Sequence, residues 1–190
     1  MPEKNFILAS CSPQRLSLLK QIGYVPMKVE SADIDETPHK FERPTEYVKR
    51  MAKEKALAVA SKHPGQVILA GDTVVTVAKK ILQKAPDAES QKKVMRMLSG
   101  KAHKVLSAVC VVLKDGKVSV RCVSTRIVMK KLTEKEINDY VATNEWVGCA
   151  GYKIEGCLAG FVRKIIGSYS GVVGLPLYEV RNMLNGAGIK

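Results

Sequence analysis

The stretch Phe6-Ile7-Leu8-Ala9-Ser10-Cys11-Ser12-Pro13-Gln14-Arg15 decides how the rest of the chain is read. Phe6 to Ala9 is an unbroken apolar run of strand length and predicts a buried strand. The residues after it predict a helix. Ser12 suits the N-cap and Pro13 the first turn, Leu16, Leu18, Leu19 and Ile22 supply apolar positions, and Gly23 ends the run. A strand feeding a polar helix N-terminus presents free backbone N–H groups and the positive end of the helix dipole at one point, where Ser10, Ser12 and Arg15 add donors. Two readings are open here: an ordinary capped helix, or a place that holds an anion.

Working outward, strand-like and helical segments alternate along the chain, with no internal repeat, low-complexity tract or linker, and this predicts an α/β fold. Met27 to Glu30 reads as a short strand and Ser31 to Arg43 as an acidic-then-basic loop. A long helix is predicted from about Pro44 to Lys62, with Pro64 beyond its end. Val67 to Ala70 and Thr73 to Val77 read as apolar strand material interrupted by Gly71 and Asp72. Asp87 to Leu98 is a second helix, closed by Gly100. His103 to Leu113 and Lys117 to Met129, joined through Asp115-Gly116, predict a hairpin. Thr133 and Glu136 form a capping box for a helix through Thr143. A glycine-rich stretch from Gly148 to Gly160 precedes a strand over Phe161 to Ile166, and a last helix lies near Pro176 to Leu184.

The 190 residues suit one domain, 1–190, with room for two lobes about a cleft. No apolar run is long enough to span a membrane, and the start lacks a signal-peptide layout, so the cytoplasm is expected. The five cysteines form no Cys-x-x-Cys pair and the three histidines are scattered, which argues against zinc and for reduced thiols. Cys11 reads as a small packed residue. The net charge of +13, from 31 basic and 18 acidic residues, suits a polyanionic partner. The basic residues are spread over helices, among them Lys49, Arg50, Lys53, Lys92, Lys93 and Arg96, and read mostly as solvated faces. With 5% aromatic residues a base-stacking platform is poorly supported.

Four polar groups break the local pattern. Asp72 sits at the predicted strand end within core-forming sequence, either as a turn aspartate or as a general base or metal ligand. Lys55 lies on the inward stripe formed by Val48, Met51 or Ala52, Ala56 and Val59, either snorkelling or meeting a phosphate. Asp33, Asp35 and Glu36 cluster in the loop after Ser31, either as an ordinary solvated acidic loop or as a cation site, since a hard cation needs only one or two carboxylates beside phosphate and water. Lys84, between Ile81-Leu82-Gln83 and Pro86, reads on its own as an ordinary loop lysine.

Taken together, these segments resemble the Maf family of nucleoside triphosphate pyrophosphatases. The matching stretches are Leu8 to Arg15, Ile34-Asp35-Glu36, Tyr47-Val48 with Ala52 to Ala56, Gly71 to Val75, Leu98-Ser99-Gly100 with His103, Ala150-Gly151-Tyr152, and Gly167-Ser168-Tyr169 leading to Val172 to Leu177. They cover nearly the whole chain in family order. The resemblance implies an elongated mixed β-sheet flanked by helices, with two lobes around a nucleotide cleft, similar to the inosine triphosphate pyrophosphatase fold. It implies hydrolysis of a nucleoside triphosphate to monophosphate and diphosphate with a divalent cation, Mg²⁺ or Mn²⁺. It makes Asp72 the proton acceptor, Glu36 with Asp72 the metal ligands, and Ser10, Arg15, Lys55 and Lys84 the phosphate ligands. Gln14, Thr73 and Glu155 fall where the family sets nucleotide choice. Members that prefer dTTP and UTP typically show Arg, Thr and Gln there, and those acting on 7-methyl-GTP differ at all three. Here Thr73 follows the first group, Glu155 the second and Gln14 neither; the usual Asp-Lys-Ala-Gly is replaced by Gly148-Cys149-Ala150-Gly151. A carboxylate at Glu155 favours a base edge rich in donors, such as guanine, over uracil.

The expected partner is thus a nucleoside triphosphate, with no membrane and no stable nucleic-acid complex, and a homodimer as the one assembly considered. The competing reading, drawn from the family's link to septum formation and the +13 charge, is a cell-division regulator that binds protein or nucleic acid with little catalysis. The ordered set Glu36, Lys55, Asp72 and Lys84 favours the enzyme, since a pure binding module has no need of it.

Overall fold

In the computed structural model, which describes residues 3–78 and 80–190, the alternating pattern becomes a mixed sheet. The elements are β1 (Glu3–Ala9), α1 (Pro13–Gln21), β2 (Val25–Glu30), α2 (Pro44–Ala60), β3 (Ile68–Val77), β4 (Lys80–Ile81), α3 (Ala88–Leu98), β5 (Ala102–Val112), β6 (Val118–Met129), α4 (Glu134–Ala142), β7 (Val162–Ile166), α5 (Tyr169–Val173) and α6 (Leu177–Gly186). The seven strands among the described residues run in the order β2-β1-β3-β5-β6-β7, with the short β4 beside β3. β1 is parallel to both its neighbours. From β3 through β5 and β6 to β7 the pairing is antiparallel.

Three apolar clusters hold this sheet. The inward stripe of α2, with Val48, Met51, Ala52, Ala56 and Val59 all at 0% exposure, packs on one face of β1, β3 and β5. On the opposite face Phe6, Leu8 and Leu69 meet Leu19 of α1 and Leu184 of α6. Further along, Met95 and Leu98 of α3 and Ile137 and Tyr140 of α4 cover Val105 and Ile127. Burial of such side chains contributes about 1.5–3 kcal/mol each before entropy is counted.

The predicted interruption at Gly71 and Asp72 does not exist. β3 is continuous for ten residues, with Gly71 opposite Val109 and Asp72 opposite Ala108 of β5. Asp72 is therefore a mid-strand residue, tolerated because a cation answers its charge and not because a turn exposes it. Gly71 is there for close approach: a Cβ on it would lie 2.8 Å from Leu175 Cδ2, 3.3 Å from the Ala108 carbonyl and 3.6 Å from Arg15 Nε. Three elements have no counterpart in the sequence reading: β4, a 3₁₀ turn over Cys157–Phe161, and α5. The last helix runs to Gly186, two residues past the predicted end.

β3 changes partners partway along its outer edge. β1 pairs with it only at Ile7↔Ile68 and Leu8↔Leu69. β4 takes over at Thr76↔Ile81, and Leu82 N donates to the Val75 carbonyl at 2.8 Å. Between them, from Ala70 to Val74, no strand among the described residues lies on that side. The gap sits beyond the carboxyl end of β1, where the chain leaves β1 through α1 to β2 on one side and returns from β2 through α2 to β3 on the other. Open α/β sheets bind ligands at such a switch. Among the described residues no helix is long and apolar enough to cross a membrane.

Because Leu175 is fully buried and Ala108 presents backbone, Gly71→Ala has little room to relax. Urea denaturation is expected to show a loss of about 1–3 kcal/mol, the usual cost of overpacking. An unchanged midpoint would show that the contact yields freely.

Candidate active site

The gap in β3 opens into a cleft of about 680 Å³. Its floor is made by one lysine. Lys55 lies on the buried stripe of α2, its exposure only 9%, and an ammonium there must find counter-charge. It finds two: Lys55 Nζ is 2.8 Å from Asp72 Oδ1 and 2.9 Å from Glu36 Oε1. Neither alternative left open for Lys55, snorkelling or a phosphate partner, includes this double pairing. Among the described residues Asp72 Oδ2 makes no hydrogen bond with the protein.

Glu36 is delivered by the loop between β2 and α2, and that loop is fastened to α2. Tyr47 Oη donates to the Glu36 carbonyl at 2.8 Å. Arg50 grips Glu42 with two bonds, Nε to Oε1 at 2.7 Å and Nη2 to Oε2 at 2.8 Å, and Nη2 also donates to the Thr37 carbonyl at 3.1 Å. The guanidinium holds Glu42 well below the ordinary carboxylate range, at about 2. Burial, then Asp72 and Glu36, push Tyr47 up to about 12, so it remains a phenol able to donate. Asp35 is occupied locally, accepting from Thr37 N at 2.9 Å. Of the acidic cluster only Glu36 lines the cleft.

The opposite wall is the start of α1. Ser12 caps it, accepting from Arg15 N at 3.4 Å, as the sequence predicts. Ser10 Oγ accepts from Ser12 N at 3.2 Å and from Arg15 Nη1 at 3.0 Å. Arg15 Nε donates to the Gly174 carbonyl at 3.1 Å, so the turn before α6 positions the guanidinium. Desolvation lowers the Arg15 pKa from its ordinary value, and Asp72 and Glu36 pull it back up. Lys84, in the loop after β4, is exposed at the mouth of the cleft and makes no bond to the protein among the described residues. Cys11 lines the same cleft and is exposed, not packed as the sequence suggested.

Gln14, Thr73 and Glu155 come together around a smaller cavity of about 170 Å³, which shares Ser12, Thr73, Gly148 and Ala150 with the larger one. Thr73 Oγ1 lies 3.0 Å from Ser107 Oγ and donates to the Gly174 carbonyl at 3.3 Å. Gln14 Oε1 accepts from Ser12 Oγ at 3.1 Å. Glu155 is exposed.

The site thus holds three cations, Arg15, Lys55 and Lys84, against two carboxylates, Glu36 and Asp72. Both carboxylates converge on the point occupied by the Lys55 ammonium. Two hard oxygen donors beside an anion-binding wall suit a divalent ion of the magnesium kind, which takes the rest of its ligands from phosphate and water. The sequence reading missed Tyr47, Arg50 and the Gly174 carbonyl. Arg50 was hidden among basic residues read as solvated, yet its side chain is only 17% exposed. The signal available was the acidic loop itself, which needs a cation to hold it.

The Maf-like protein family matches residues 5–187. A protein of Rhodospirillum rubrum named dTTP/UTP pyrophosphatase is 48% identical over 185 residues, covering 97% of this chain and 88% of its own length. One of Zymomonas mobilis with the same name is 50% identical, covering 97% and 92%. Among solved structures, a HAM1 protein from Coxiella burnetii superposes with a TM-score of 0.51 at 17% identity, covering 98% of this chain and 100% of that one, and this likeness shows the fold.

The grip of Arg50 on Glu42 and Thr37 generates a local expectation. Arg50→Ala should speed amide hydrogen exchange across residues 33–43 and cost about 1–3 kcal/mol, the range for a charged hydrogen-bonding group, while β3 and β5 exchange as before. Unaltered exchange in that loop would show that Tyr47 alone suffices.

Proposed function

This chain belongs to the Maf-like protein family, and on that footing we propose that it hydrolyses nucleoside triphosphates to monophosphate and diphosphate, with residues 1–190 acting as one catalytic domain. The observation that carries the reading is the triad of Lys55 between Asp72 and Glu36 at the open edge of β3, facing the N-terminus of α1. A binding module would gain nothing from two carboxylates brought to one buried cation beside an anion site. The relatives named dTTP/UTP pyrophosphatase direct the choice of nucleotide to dTTP and UTP. Thr73 agrees with that choice, and Glu155, which by itself favours guanine, is the residue that departs from it.

In the reaction, water attacks one phosphorus of the α,β-phosphoanhydride in line as its bond to the bridging oxygen breaks, so that monophosphate and diphosphate separate. The free oxygen of Asp72 accepts its proton. Arg15 and Ser10, with the N–H groups of α1, hold phosphate oxygens, and Lys84 closes over them from the mouth. These donors are set before the charge develops, which is how such groups lower a barrier. A divalent cation, Mg²⁺ or Mn²⁺, would be held by Glu36 and Asp72 and would offset phosphate charge there. Lys55 keeps the two carboxylates together in its absence. The smaller cavity takes the base, against Gln14, Thr73 and Glu155.

Asp72→Asn is expected to lower turnover of dTTP by about 10²–10⁴-fold, the usual worth of a general base, with the fold retained at a lower melting temperature, because Glu36 still answers the Lys55 ammonium while one of its two counter-charges is lost. Wild-type rates in that variant would remove Asp72 from the chemistry. A panel of dTTP, UTP, CTP, GTP, 7-methyl-GTP and ITP, read by diphosphate release, tests the activity itself; no release from any of them would favour the binding reading. Lys55 also makes a prediction about the metal. With the ammonium gone, Lys55→Met should bind Mn²⁺ without nucleotide about tenfold more tightly than wild type, by titration calorimetry, while hydrolysis falls. Equal Mn²⁺ affinity in the two proteins would show that Lys55 does not stand between the carboxylates and the ion.

A further inference from the structure

The segment from Gly148 to Cys157 has little regular structure, yet it carries Glu155 and Tyr152 to the smaller cavity. Three side chains from three different elements hold it. Gln91, fully buried on α3, donates from Nε2 to the Gly151 carbonyl at 2.6 Å. His103, on β5, meets the Tyr152 hydroxyl at 2.6 Å through Nε2, with the rings edge-on and 5.4 Å apart. Glu145, just after α4, accepts from Cys157 N at 2.7 Å through Oε2, and its carboxylate occupies the space beside Gly156. Gly151 itself adopts φ +94° and presses on Val75 of β3.

Two of these anchors are expensive in a way packing alone does not explain. Gln91 Oε1 and His103 Nδ1 are buried without a hydrogen-bond partner. An apolar residue at either place would avoid that penalty. What each polar group does accomplish is one bond to the same two consecutive residues. Burial pulls His103 down to about 4, so at neutral pH it stays uncharged and keeps its bond to Tyr152.

We propose that Gln91, His103 and Glu145 are positioning residues for nucleotide selection: they fix the 148–157 segment, and with it Tyr152 and Glu155, at the distance from β3 that the base requires. None of them lines the triphosphate cleft. The proposal rests on the reading of the smaller cavity as the base site. Its consequence is that discrimination among bases depends on the core of the α3/α4 lobe, remote from Asp72 and Lys55.

The test uses Gln91→Met, which keeps length and removes both the bond and the orphaned oxygen, and His103→Phe, which keeps a ring of similar size and removes both the bond to Tyr152 and the orphaned Nδ1. Steady-state kinetics are measured with dTTP and GTP, alongside amide hydrogen exchange of residues 148–157 and of β3. The expected result in both variants is a KM for dTTP raised about tenfold, kcat within about threefold of wild type, a smaller dTTP-to-GTP preference, and faster exchange confined to 148–157. Unchanged KM and preference would overturn the proposal. So would a parallel loss of kcat with faster exchange throughout β3, since that is a merely structural effect. If wild type turned over neither nucleotide the pyrophosphatase reading would fall by itself, and unchanged exchange in 148–157 would then refute the anchoring separately.

Discussion

One buried ammonium organises this site. Lys55 sits on the apolar stripe of α2 and would be intolerable there without counter-charge. The two carboxylates that answer it come from places far apart in sequence, the middle of β3 and the loop after β2. The pairing therefore couples helix, strand and loop, and a shift of any one of them leaves a charge uncompensated. Such an arrangement is poor evidence of stability, because desolvation consumes most of the Coulombic gain. Its value lies in placement. A carboxylate held by one oxygen and free at the other is suited to take a proton from something arriving on the open side.

Placement also explains why the anion wall faces the acids. β1 ends at Ala9 and α1 begins at Pro13, so the helix N-terminus stands at the carboxyl end of a central parallel strand. β3 continues past that end, so Asp72 lies abreast of Ser10 and Arg15. The difference in strand length brings the helix N-terminus and the two carboxylates to one cleft. Gly71 allows Leu175 and Arg15 to close behind them.

The fold was legible because it rests on local signals. The apolar run at Phe6, the caps at Ser12 and Thr133, and the Asp115-Gly116 turn each specify an element without knowledge of the rest, and each element formed. Asp72 was read as a strand end because strands are expected to stay apolar, and the cation that lets β3 run through it lies 17 residues away. Lys55 and Lys84 acquired meaning from the resemblance, not from spacing. Arg50 was legible only through the acidic loop it holds, and Gln91 and Glu145 were not legible at all. Their work is a bond to backbone or to a loop carboxylate across the fold, and such bonds leave no periodic trace. Nor does an irregular segment such as 148–157 say what holds it.

The bare stretch of β3 from Ala70 to Val74 has a further meaning for the chain's behaviour in concentrated solution. Unpaired strand edges invite pairing with other molecules, and proteins guard them with charges, bulges or short length. Here β1 and β4 shorten the open edge from either end and a charge, Asp72, stands at the centre of what remains. The carboxylate that the site needs is therefore also the kind of group that guards a strand edge, and substitutions that peeled away β4 would trade a wider mouth for a longer unguarded edge.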